Sequence, residues 1–162
     1  MKKLYFIVAV TFVCILSSCS KESIEVVDDA VAPIENIANA VNVEAQIMDL
    51  VNEHRISLGK NTLAFDNVAY DFANEHTNYM ISKGETSHDN FTKRASSMSQ
   101  KVQASAIAEN VASKYDSASE AVENWLASDE HRAAIEGDYT HTAVSVKEDQ
   151  NGDFYFTQMF YR

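Results

Sequence analysis

From Val43 onward the apolar residues recur at helical spacing. Ile47, Leu50, Val51 and His54 share one face, Leu58 follows, and Gly59 is placed as a C-terminal stop. A second helix is expected after Asp66, whose side chain suits an N-cap. Val68, Ala69, Phe72, Ala73, His76 and Met80 make its inner face, and Gly84 ends it. The polar, turn-rich run ETSHDNFTKRASSMSQKVQ (85–103) predicts a long loop, and such loops in compact domains are usually functional or mobile. SAIAENVA (105–112) then reads as a short buried strand. The capping box Ser117-Ala118-Ser119-Glu120 opens a helix with Val122, Trp125 and Leu126 on its inner face. Ser128 suits the cap of a further short helix through DEHRAAI, closed near Gly137. The end of the chain carries the clearest β signal: TAVSVKED and FYFTQMFYR flank Asn151-Gly152, a strong hairpin marker. Phe154, Phe156, Gln158 and Phe160 alternate with Tyr155, Thr157, Met159 and Tyr161, so one face is core and the other packs under a helix. Helices and strands share one core, in an antiparallel rather than a βαβ arrangement.

Before Val43 the pattern is different. MKK followed by LYFIVAVTFVCI has the positive start and apolar run of an export signal, and it is short for a bilayer span. The next residues, Leu16 to Cys19 (LSSC), resemble the lipobox of bacterial lipoproteins. That resemblance implies a signal at 1–18, cleavage before Cys19 and lipid on Cys19; the alternative is an ordinary cleaved signal. Residues 19–42 mix acids with small residues and hold the single proline, Pro33, which reads as a tether to a domain at 43–162. Cys14 leaves with the signal and Cys19 carries lipid, so the domain has no disulfide, Cys-ligated metal or cysteine nucleophile. The net charge of −11 disfavours nucleic acid as a partner.

Within residues 105–112 sits Glu109, a carboxylate where a strand buries its side chains. Burying that charge is costly unless something pairs with it. VNEHRISLGKNTLAFD, ANEHTNYM, SHDNF, AENVA, ENWLASDEHRAAI and YFTQMFY occur in the order found in the CAP superfamily of cysteine-rich secretory, antigen 5 and pathogenesis-related proteins. The resemblance spans about 45–162. It implies an α+β fold, an α-β-α sandwich around a central antiparallel sheet. In many relatives two histidines and two glutamates line a cleft, in several with a divalent cation. The resemblance puts His88, Glu109 and His141 at three of these positions, the histidines as candidate ligands for zinc or another divalent ion; a hydrolase reading of the same cleft makes Glu109 the catalytic base. The fourth position departs: Ser128 stands where a glutamate is common in animal and plant relatives. WLASDEHR is closer to bacterial relatives with a histidine six residues after the tryptophan, here His131, so Glu130 and His131 are the candidates for the cleft.

The residues by themselves allow plainer roles. His54 and His76 lie on apolar helix faces as satisfied core histidines, Asn110 as a structural hydrogen bonder and Trp125 as core. There is no G-x-S-x-G elbow, H-E-x-x-H helix or Gly-rich phosphate loop. The leading expectation is a lipid-anchored cell-envelope protein, at an outer membrane where the cell has one, whose cleft binds a protein, peptide or lipid partner. The alternatives are a metal-dependent hydrolase of peptides or esters using the same cleft, and a scaffold without a working site.

Overall fold

The computed structural model describes residues 37–162. The expected signal at 1–18, Cys19 and most of the tether lie outside the described residues. Nine elements follow: α1 (Val41–Ser57), β1 (Ala64–Phe65), α2 (Asn67–Lys83), α3 (Phe91–Val102), β2 (Ile107–Ser113), α4 (Ala118–Ala127), α5 (Asp129–Ile135), β3 (His141–Glu148) and β4 (Phe154–Tyr161). Ordered contacts begin ahead of Val43: Asn39 bridges to Lys147, and the Ala40 N–H donates to the Val146 carbonyl at 2.8 Å.

The sheet order is β1-β3-β4-β2. The long pairs β3–β4 and β4–β2 are antiparallel, as the hairpin signal implies, and the two-residue β1 adds a parallel edge beside β3. At the β3–β4 turn Gly152 takes φ 88°, and the Asp149 carboxylate accepts from the N–H groups of Asn151 and Asp153. Opposed residues share a face in an antiparallel ladder, so the register divides the side chains cleanly. Glu109, Met159 and Ala143 point to one side; Asn110, Gln158 and Val144 point to the other.

Both faces are covered, which makes an α-β-α sandwich. On the first, Ala69, Phe72 and Ala73 of α2 and Met98 of α3 pack on Ala143, Met159 and Tyr161. On the second, Ile47 and Val51 of α1, Val122 and Trp125 of α4 and Ile135 of α5 pack on Val144, Val146, Phe156 and Phe160. Two of the three expected caps form: the Asp66 carboxylate accepts from the Ala69 N–H at 2.8 Å and the Ser117 hydroxyl from the Glu120 N–H at 3.2 Å, whereas Ser128 stands at the N-cap of α5 without a side-chain capping bond. Arg55, buried near the end of α1, donates to the carbonyls of Asn61, Ile135, Gly137 and Tyr139. It thereby ties α1 to the segment joining α5 and β3.

The long loop expected at 85–103 is corrected. Residues 91–102 of it are α3, and only the approach to it is irregular. Phe91, Arg94, Ala95, Met98 and Val102 fall at spacings of three and four and face inward, while the residues between them are mostly exposed. Its apolar stripe is sparse and interrupted by an arginine, so the polar face dominates the composition.

Candidate functional site

β2 is an edge strand, and a cleft of about 410 Å³ opens along it. One wall carries His88 and Phe91, ahead of and at the start of α3. The other carries Glu130, His131, Ala133 and Ala134 of α5 and then Tyr139. Gly137 sits so close to Tyr139 that an added Cβ would lie 2.4 Å from ring carbon Cε2. A residue without a side chain is what lets the ring lie against the cleft wall.

Glu109 projects from β2 toward α2 and α3, and its side chain is 1% exposed. Its partners come from three places. Arg94 on α3 donates from Nε to Oε2 at 2.7 Å and from Nη2 to Oε1 at 2.8 Å, a bidentate pair. His88 donates from Nδ1 to Oε1 at 3.0 Å, since a carboxylate only accepts there. His76 on α2 places Nε2 3.8 Å from Oε1 while donating to the Ser87 carbonyl at 2.7 Å. Burial by itself would raise the Glu109 pKa, but the hydrogen bonds from His88 and Arg94 and the Arg94 charge hold it below the ordinary value of 4.5. Burial pushes the His76 imidazole below 6.5 against the pull of Glu109. His131 is pushed down by burial and then by the nearby His88.

The remaining expected residues separate into two groups. His131 faces His88 with ring centroids 6.4 Å apart, and Glu130 lines the same cleft. The His131 carbonyl accepts from the Asn110 amide at 3.1 Å, which pins α5 over the strand. His141 is not among the cleft residues. It starts β3, two strands over from β2, stacks on Tyr161 at 4.7 Å and sits 2.8 Å from the Thr140 hydroxyl. His54 pairs with Glu136 at 2.9 Å, and the Trp125 indole donates to the Val111 carbonyl at 3.1 Å.

Arg94, His76, Phe91 and Tyr139 are the members that the sequence reading did not assign to the site. Arg94 lay hidden in the supposed loop; its one signal is its place on the 91–94–98–102 stripe. As arranged, the donor set does not fit a resident divalent ion at Glu109. The guanidinium takes both carboxylate oxygens, and the His76 Nε2 proton faces a carbonyl. Among the described residues no three His, Asp, Glu or Cys side chains converge as ligands.

The family model of the cysteine-rich secretory protein family, CAP, matches residues 48–160. The chain belongs to the CAP family. The uncharacterized membrane protein YlbC of Bacillus subtilis is 32% identical over 123 residues, 72% of this chain and 34% of that protein. This chain thus spans about a third of that curated relative. Among solved structures, an extracellular protein of Bacillus anthracis containing an SCP domain superposes with a TM-score of 0.67 at 27% identity, covering 75% of this chain and 41% of that one. An outer surface protein of Borrelia burgdorferi gives a TM-score of 0.70 at 18% identity, covering 78% of this chain and 98% of that one, and shows the shared fold. Among the described residues of this CAP domain no helix is long and apolar enough to cross a membrane.

Proposed function

We propose that this CAP domain is an exported binding module of the cell envelope, held to the membrane by lipid on Cys19, whose cleft along β2 receives a ligand without hydrolysing it. One observation carries this reading. The Glu109 carboxylate, buried beside the cleft, is bound by Arg94 through both oxygens and by His88 through one. A general base needs a lone pair aimed at substrate, and a zinc ligand needs the position that the guanidinium fills. Arg94 serves as a built-in cation in place of a divalent ion. The export signal, the extracellular and outer-surface descriptions of the structural neighbours and the membrane label of YlbC support the location.

The groups left to a ligand are the Nε2 edge of His88, the His131 ring, the Glu130 carboxylate and the apolar surfaces of Phe91, Ala134 and Tyr139. That mixture of a few polar groups in an apolar wall is the usual make-up of a binding pocket. The test compares the chain with Glu109→Gln on a panel of peptide and ester substrates in the presence of zinc. Identical background rates are expected. Turnover by the native chain that Glu109→Gln abolishes would overturn the proposal in favour of the hydrolase.

A further inference from the structure

We propose that the ligand of this cleft is an extended peptide that pairs with β2 as an added strand; this rests on the cleft being a binding site, as proposed above. Ala106 and Arg162 exchange both main-chain hydrogen bonds, at 3.2 and 3.4 Å, and the Lys114 N–H donates to the Phe154 carbonyl at 2.8 Å. In an antiparallel ladder such residues alternate, so even-numbered positions of β2 turn their main chain toward β4. Ile107, Glu109 and Val111 turn theirs outward, past the end of the sheet.

The outward edge is closed at one end and open at the other. The Val111 carbonyl is occupied by the Trp125 indole, and the Asn110 amide fastens α5 through the His131 carbonyl. Ile107 and Ala108 are half-buried and line the cleft. Among the described residues no hydrogen bond engages the outward N–H or C=O of Ile107 or the N–H of Glu109. These unpaired main-chain groups lie along about 7 Å of strand. Their complement is another extended main chain, the chemistry of strand addition.

The walls fit the same occupant. Side chains of an added strand alternate between the two sides of the sheet. One side meets His88 and Phe91, the other Ala133, Ala134 and Tyr139, so the paired residues are apolar. Glu130 on the rim and the −11 charge of the chain favour basic flanks.

The test titrates the full, isotopically labelled chain with acetyl-Lys-Val-Phe-Val-Lys-amide while amide resonances are followed. Shifts are expected at His88, Phe91, residues 107–109, His131 and Tyr139, with amide exchange slowed at Ile107 and Glu109. N-methylation of alternate peptide amides is expected to weaken binding about tenfold in one phase and little in the other, because only one set faces β2. Ile107→Pro removes the outward N–H while leaving the ladder to β4, so it is expected to weaken binding similarly with an unchanged circular dichroism spectrum. Shifts in the cleft that tolerate N-methylation at every amide would overturn strand addition and leave the cleft as a binding site. No shift at millimolar peptide would also overturn strand addition. Shifts confined to other faces of the molecule would contradict both readings.

Discussion

Arg94 holds Glu109 in a bidentate grip, with N–O distances of 2.7 and 2.8 Å on two side chains that are 8% and 1% exposed. The pair joins α3 to the edge strand and sets the character of the cleft beside it. A carboxylate taken out of water is tolerable here because a guanidinium and an imidazole replace its hydration.

Arg94→Met is expected to destabilise the fold by about 3–5 kcal/mol, because it strands a buried charge. The double variant Arg94→Met/Glu109→Leu, which removes both charges, is expected to recover a large part of that loss. Denaturant unfolding of the native chain and the two variants measures both effects.

Stability is expected to fall on acidification in two windows. His76 and His131 have folded pKa values below 6.5, so the stability tied to their neutral rings is complete above 6.5 and is lost as pH falls through the folded values. Glu109 has a folded value below 4.5, so its contribution is complete above 4.5 and is lost at lower pH still. Thermal unfolding across the acid range shows the windows; Glu109→Gln is expected to remove the lower one and, by taking away the carboxylate that pulls the His76 pKa up, to extend the upper one to lower pH.

Gly137→Ala is expected to push the Tyr139 ring out of the cleft wall. The new Cβ meets ring carbons at 2.4 and 2.9 Å and the Ala133 carbonyl at 3.0 Å. A cost of about 1–3 kcal/mol is typical of such overpacking. The Tyr139–Phe160 contact, with centroids now 5.8 Å apart, is expected to break, which aromatic proton shifts report.

Cys19→Ala is expected to move the protein from the membrane fraction to the soluble exported fraction of expressing cells. The mass of the native mature chain is expected to carry the lipid adduct. Fractionation and intact mass measure both.

What the sequence disclosed follows from how each element announces itself. α2 has an acid cap at Asp66 and a broad apolar stripe, and the hairpin has Asn151-Gly152, so both were legible. β1 pairs over two residues, too few for any periodicity to register. α3 buries Met98 among lysines, serines and one threonine, so its polar composition concealed its stripe. That one omission hid Arg94, and with it the main partner of Glu109. Glu109 itself stood out because an acid amid AIA and NVA needs company. The resemblance to CAP proteins led to His88 and, through the histidine six residues after the tryptophan, to His131; His141, placed by the same resemblance, is outside the cleft lining with its ring stacked on Tyr161. His76 was legible as a satisfied core histidine; its second role beside Glu109 depends on how α2 crosses the sheet, which a single helix pattern does not contain.

The most direct test of Arg94 as the cleft's resident cation is calorimetric titration of the full chain with zinc, alongside His88→Ala and Glu109→Gln. The account predicts no tight single site in the native chain and no difference between it and the two variants. Tight one-site binding in the native chain, lost in both variants, would contradict it.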